Sequence, residues 1–280
     1  MEIIPAALLM LITALIAALI LAFASRYMGV KVDDTVRRVR NCLPGANCGA
    51  CGYAGCDSYA EALAKGDVGP ELCLPGGSEV ARLTAEILGI DPCETRKLVA
   101  YVHCNGTPDV TQRTAEYDGL MTCSAMCLSC GGPGLCKYGC LGCGDCASKC
   151  PTDSIFIKNN IAIVDPEKCI SCGICIKVCP KHIITFIPVE AKVAVICSSH
   201  DKGASTRKKC SAGCIACGKC ERSCPYGAIK VIDNLAVIDY EKCTGCGICA
   251  EICPVSCISK LGKFNIKYRY KPTQNSDISK

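Results

Sequence analysis

Four stretches of this sequence repeat one arrangement of thiols, and that repeat limits the possible folds more than any other feature. They are Cys140-x2-Cys143-x2-Cys146-x3-Cys150-Pro151, Cys169-x2-Cys172-x2-Cys175-x3-Cys179-Pro180, Cys214-x2-Cys217-x2-Cys220-x3-Cys224-Pro225 and Cys243-x2-Cys246-x2-Cys249-x3-Cys253-Pro254. Cysteine makes up 30 of 280 residues, against 4 Phe and no Trp. At that density thiol chemistry, rather than one large aliphatic–aromatic core, organises the chain. Charged residues are only 20% and apolar residues 50%, which argues against a disordered chain. Disulfides or metal must therefore hold the thiol-rich part together.

The compartment decides between them. No charged residue occurs from Ile3 to Ser25, between Glu2 and Arg26. As a helix this stretch would rise about 35 Å, enough for a hydrocarbon core of about 30 Å. It predicts a transmembrane helix. A secretory signal fits poorly, because no Lys or Arg precedes the apolar run. Arg26, Lys31, Arg37, Arg38 and Arg40 all follow it, so the positive-inside rule places the rest of the chain in the cytoplasm, with a single pass through the inner membrane. That compartment is reducing and favours metal ligation over disulfides.

The spacing identifies the metal group. In a bacterial ferredoxin run, three closely spaced thiolates wrap one [4Fe–4S] cube, and the fourth, before proline, reaches the other cube of a two-cluster unit. Zinc would take two separated pairs in a tetrahedron and gives no reason for a third Cys three residues on. A lone thioredoxin-like pair matches less well still. Adding 74 to each ligand number of the first two runs lands on a ligand of the last two. The connecting segments SIFIKNNIAIVD (154–165) and AIKVIDNLAVID (228–239) match as well, and both read as β-hairpins. Ligand exchange within each unit predicts four cubes. Their ligands are Cys140, Cys143, Cys146 and Cys179; Cys169, Cys172, Cys175 and Cys150; Cys214, Cys217, Cys220 and Cys253; and Cys243, Cys246, Cys249 and Cys224. Gly142-x-Gly144 and Gly245-x-Gly247 match a dinucleotide fingerprint by letter, but they are interleaved with ligands and open no βαβ unit.

Upstream, Leu43 to Cys56 reads LPGANCGACGYAGC, followed by Cys73. Cys48, Cys51, Cys56 and Cys73 supply four thiolates for one more cube, with zinc as the alternative at this spacing. A short Ala-rich helix over 57–65 would bring Cys73 back to the loop. Taken with this segment, residues 1–257 resemble the B-subunit family of the Rnf complexes. The resemblance implies a membrane-anchored iron–sulfur subunit of an ion-translocating ferredoxin:NAD+ oxidoreductase, with the cluster ligands falling on the twenty cysteines just named. It also implies soluble ferredoxin, a flavin- and NAD-binding subunit and integral Na+- or H+-pumping subunits as partners. A second ferredoxin unit departs from the shortest family members. The competing readings are a polyferredoxin relay of a membrane hydrogenase or formate-oxidising complex, a corrinoid-type accessory iron–sulfur protein, and an inert metal store.

The expected fold class is α+β: one transmembrane helix, a small helical [4Fe–4S] domain and two tandem two-cluster ferredoxin-like domains. The boundaries are 1–28 for the anchor, 29–98 for the first cluster domain, 99–190 and 191–260 for the ferredoxin units, and 261–280 for a basic tail. Ten cysteines remain: Cys42, Cys93, Cys104, Cys123, Cys127, Cys130, Cys136, Cys197, Cys210 and Cys257. Cys136 and Cys210 are 74 apart. Cys104 and Cys197 are 93 apart, which leaves about 19 extra residues before Cys136, where Cys123, Cys127 and Cys130 lie. Cys104, Cys123, Cys136 and Cys210 are candidate extra ligands. Five [4Fe–4S] clusters are expected, with a sixth and buried free thiols as the open alternatives. His103, His182 and His200 fit structural or surface roles. Each cube with four thiolates carries about −2, so five turn the formal +5 into roughly −5, and nucleic-acid binding is not expected. No catalytic nucleophile–base pair, flavin site or nicotinamide site is apparent, so the chain reads as an electron carrier within a larger enzyme.

Overall fold

The computed structural model describes residues 3–27, 33–91 and 96–261. Cys93 and the basic tail beyond residue 261 lie outside them.

Helix α1 spans Ile3–Tyr27, and its described large apolar side chains, such as Leu8, Met10 and Phe23, are exposed. The expected transmembrane helix is not supported. Among the described residues no helix is long and apolar enough to cross a membrane. The architecture that positions the thiols lies in the cysteine-bearing units.

The first unit is helical. It contains α2 (Asp34–Cys42), α3 (Cys56–Lys65), the 3-10 turn η1 (Pro70–Leu72) and α4 (Gly77–Leu88). Asp33 caps α2 by accepting the N–H of Thr35 at 2.9 Å. Gly66, in the left-handed region, ends α3. Val39, Tyr59, Leu63 and Val80 pack with Cys73 into a small aliphatic–aromatic core, and Tyr59 Oη donates to the carbonyl of Gly69 at 2.9 Å.

Two ferredoxin-like units follow. In the first, β1 (Leu98–Val102) pairs antiparallel with β4 (Ile184–Pro188), with Ala100 opposite Phe186. A hairpin of β2 (Ile155–Lys158) and β3 (Ile161–Val164) lies between them in sequence. In the second, β5 (Val193–Val195) pairs with β8 (Ile258–Lys260), and β6 (Ile229–Ile232) forms a hairpin with β7 (Leu235–Ile238). Both hairpins turn on two residues with positive φ, Asn159–Asn160 and Asp233–Asn234. That is the two-residue geometry matching the twist of paired strands. Short helices α6 (Asp145–Ser148), α7 (Ile174–Val178), α9 (Lys219–Arg222) and α10 (Ile248–Glu251) each begin just after a glycine inside a cysteine run. Between β1 and the first run, the extra residues form α5 (Cys123–Cys130); α8 (Gly203–Lys209) follows β5.

Candidate metal centres

Each ferredoxin-like unit buries thiols where another small domain would bury leucine. Cys146, Cys169 and Cys175 belong to the first core, with Val99, Val102 and Ile184. Cys214, Cys220 and Cys257 belong to the second, with Val193, Val195 and Ile229.

These thiols line four cavities. Cys150, Cys169, Cys172 and Cys175 surround one of about 290 Å³. Cys214, Cys217, Cys220 and Cys253 surround one of about 310 Å³, with Cys257 also at its wall. Cys224, Cys243, Cys246 and Cys249 surround one of about 340 Å³. Cys140, Cys146 and Cys179 line another of about 340 Å³, this time with Cys123. Cys143 reaches that group through Cys123, whose thiol hydrogen-bonds to it. Each cavity thus takes a pre-proline thiol from the opposite run of its own unit. The backbone makes room for this. At Gly142 (φ +76) a Cβ would stand 2.7 Å from the carbonyl oxygen of Asn160, so only glycine lets the first loop press against the hairpin turn.

The thiols also shape one another's chemistry. Burial pushes Cys140 up to about 11, and Cys146 and Cys175 up to about 12, with neighbouring thiols adding to the rise. Cys220 and Cys249 rise to about 11 for the same reasons. Crowded thiolates repel one another and need a cationic core to become stable anions. Cys150 moves the other way. Burial raises it, but the Ser154 hydroxyl at 3.1 Å and backbone N–H groups more than offset that. Cys253 drops to about 5 and Cys214 to about 6, because the Cys257 side chain hydrogen-bonds to both. Among the described residues no group of three or more Cys, His, Asp or Glu is placed to hold a metal ion. A single zinc would draw its thiolates to within about 3.8 Å of one another. A four-iron core instead keeps them apart around a cavity, and the thiol-lined spaces here fit it.

In the helical unit, Cys48, Cys51 and Cys56 all lie close enough to Cys73 to raise it, after burial as the largest cause. Cys56 opens α3, its N–H accepted by Asn47 Oδ1 at 2.9 Å. This group adjoins the next. Cys48 adds to the rise at Cys172, and Lys177 Nζ donates to the carbonyl of Gly49 at 3.3 Å. Cys175 acts on Cys146 and Cys220 on Cys249, so the paired groups within each unit are neighbours as well.

The remaining cysteines are placed less evenly. Cys123, Cys127 and Cys130 fall on α5, whose N-terminus is held by Asp145: its carboxylate accepts the N–H of Cys123 at 2.8 Å and of Ser124 at 3.0 Å. Cys104, Cys136 and Cys210 meet in a larger cavity between the ferredoxin-like units, together with Cys197. Cys257, one of the ten cysteines left unassigned by sequence, stands where the first unit has Ile183, 74 residues earlier. His103 and His200 make structural bonds. His103 spans the two units, with Nδ1 2.7 Å from the carbonyl of Val195 and Nε2 2.7 Å from Thr185 Oγ1. His200 pairs with Asp233 at 3.1 Å.

Comparison with known proteins agrees with this arrangement. The FeS model, for an Fe-S cluster, matches residues 43–75. A 4Fe-4S dicluster domain model matches twice, at 139–183 and 213–257, and a second dicluster model covers 168–228. The chain is 46% identical over 236 residues to the B subunit of the proton-translocating ferredoxin:NAD(+) oxidoreductase complex of Clostridium ljungdahlii, covering 84% of this chain and 83% of that one. It is 43% identical over 240 residues to the Na(+)-translocating counterpart of Acetobacterium woodii, covering 85% and 72%. It is 39% identical over 225 residues to the B subunit of the ion-translocating oxidoreductase complex of Methanosarcina acetivorans, covering 80% and 85%. Identity of this level across most of both chains, with iron–sulfur domains where the thiols gather, shows that the chain belongs to the B-subunit family of Rnf complexes, as an iron–sulfur electron-transfer component of an ion-translocating ferredoxin:NAD+ oxidoreductase.

Proposed function

We propose that this chain is the electron relay of its complex, taking electrons from reduced soluble ferredoxin and delivering them to a flavin- and NAD-binding subunit and to integral subunits that move Na+ or H+. The observation that carries this reading is the placement of twenty thiols in five groups, with the first group beside the first ferredoxin-like unit and the two groups within each unit beside one another. Cys48, Cys51, Cys56 and Cys73 would hold the first cube, and the four cavity groups the others. When bound, such cubes supply one-electron oxidation and reduction at low potential. The protein's part is to hold the thiolates, aim backbone N–H groups at sulfur and keep water out of the cores.

Exposure points to the entry side. Among the described cysteines, Cys217 and Cys246 are exposed, and both belong to the second ferredoxin-like unit. Arg222, on α9, donates to the carbonyl of Cys217 at 3.1 Å, next to Lys219 at the start of that helix. This unit offers sulfur near the surface with basic residues beside it, suited to an acidic one-electron carrier. The first cube, at the other end of the series, faces the partner subunits, on the cytoplasmic side of the membrane complex.

Substituting Cys48→Ala or Cys51→Ala tests the assignment. Ferredoxin-dependent NAD+ reduction should be lost while the complex still assembles. Full activity in an assembled complex would remove the first cube from the path.

A further inference from the structure

The two ferredoxin-like units meet around a space of about 850 Å³, part of it open to solvent and larger than any of the four described above. Cys104 and Cys136 reach it from the first unit, Cys197 and Cys210 from the second. Local symmetry relates the four. Cys104 lies two residues after β1 and Cys197 two residues after β5. Cys136 and Cys210 each precede the first thiol of a run by four residues.

The backbone treats the pairs alike. Cys104 Sγ accepts the N–H of Gly106 at 3.4 Å and of Cys140 at 3.3 Å. Cys197 Sγ accepts the N–H of Ser199 at 3.3 Å and of Cys214 at 3.3 Å. Cys136 takes a backbone N–H from Tyr138, and Cys210 takes those of Ala212 and Gly213. Each sulfur thus accepts from N–H donors at corresponding positions in the two units. Burial raises Cys136, Cys197 and Cys210 despite these bonds, and the N–H groups would favour sulfur as a thiolate ligand around a cationic core. Four such sulfurs around one space need a cation to hold them there.

The units are tied together at this place. Thr111 and Cys210 form a β-bridge, Ser211 N–H donates to the carbonyl of Val110 at 2.9 Å, and Lys137 pairs with Asp201 at 3.7 Å. His103 lines the cavity too, but both its ring nitrogens are engaged elsewhere, which leaves the thiols as the donor set. Arg113 and Lys209 stand at the wall and offset the negative charge that a thiolate-ligated cube carries.

We propose that Cys104, Cys136, Cys197 and Cys210 hold a sixth [4Fe–4S] cluster at the junction of the two ferredoxin-like units. This rests on reading the other five thiol groups as cubes. The position gives the cluster a purpose. Cys140 belongs to a cube of the first unit and Cys214 to a cube of the second, and each donates its N–H to a thiol of the junction site. The sixth group fills the interval between the units and joins two short series into one.

The test is iron and acid-labile sulfide counted per full-length chain, purified anaerobically. About 24 of each are expected, against about 20 for five cubes; zinc in their place also overturns the proposal. A wild-type count of about 20 overturns this proposal and leaves the five-cube reading intact, whereas a count far below 20 defeats that reading first. Cys104→Ser and Cys197→Ser should each lower the count by about 4 and leave the EPR signals of the other cubes. If these variants still contain about 24, the site is wrong. A third variant, Cys127→Ser, guards against collapse of the first two. With the wild type at about 24, an unchanged count in Cys127→Ser supports the junction site, and a loss of about 4 there moves the sixth cluster to α5 and overturns it.

Discussion

Ser154 Oγ lies 3.1 Å from Cys150 Sγ, whereas its counterpart in the second unit, Ala228, offers Cys224 only a backbone N–H at 3.4 Å. The two units thus repeat the same thiols with different hydrogen bonding. Ser154 is 1% exposed, so water cannot replace its hydroxyl. Hydrogen bonds to sulfur stabilise the more negative, reduced cluster and raise its potential. Ser154→Ala should lower the midpoint of the cube held by Cys150, Cys169, Cys172 and Cys175 by about 40 mV, the equivalent of roughly 1 kcal/mol. Ala228→Ser should raise its counterpart. An EPR-monitored titration showing no change in either variant would disprove the effect.

Cys257 is 2% exposed and its sulfur lies 3.6 Å from that of Cys253. As a neutral thiol it donates toward the sulfurs of Cys253 and Cys214. Cys257→Ile, which copies Ile183 of the first unit, should leave the cube bound with an unchanged iron count and lower its potential. Loss of about four iron atoms would instead make Cys257 a ligand.

Asp145 anchors α5. Burial works to raise its pKa, but bonds from Cys123 and Ser124 outweigh it and hold the carboxyl below the usual range. A carboxylate at a helix N-terminus is favourable both as a cap and against the helix dipole. Asp145→Ala should weaken the docking of α5 by about 1–2 kcal/mol. Hydrogen exchange at Cys123 and Ser124 should then quicken with the β-hairpin amides unchanged.

Asp201 is held below the ordinary carboxylate value, first by its hydrogen bond to Lys209 at 2.6 Å and then by the charges of Lys209 and Lys137. A depressed carboxyl stabilises the fold fully above its unfolded value of about 3.9 and loses that contribution as pH falls through the lower folded one. Protection factors across 201–210, corrected for the intrinsic pH dependence of amide exchange, should therefore stay constant from pH 8 to pH 5 and fall only below about pH 4. Asp201→Asn should show the faster exchange already at neutral pH. Loosening of the wild type near pH 6 would contradict the pairing.

Removing iron should affect the units unequally. In both ferredoxin-like units most ligand thiols belong to the cores or pack on them, so chelation leaves the thiol-lined spaces without the group that fills them. The helical unit keeps Val39, Tyr59, Leu63 and Val80 in contact. After chelation the strand signal in far-UV circular dichroism should collapse, while helical signal persists in a fragment-resolved exchange experiment. Equal protection loss in α3 and in β2 would refute the distinction.

The sequence alone determined what is local and what is repeated. Run spacing, the offset of 74 and the paired turns Asn159–Asn160 and Asp233–Asn234 state ligand type, duplication and hairpin register, because these depend on residues close along the chain. The uncharged N-terminal stretch promised a membrane span, whereas among the described residues no helix is long and apolar enough to cross a membrane. Only the tertiary structure decided which thiols share a space. Cys257 beside Cys253, Cys123 beside Cys143, and Cys104 and Cys136 facing Cys197 and Cys210 depend on how β1, α5 and β5 pack, and chain separation carries no record of that distance.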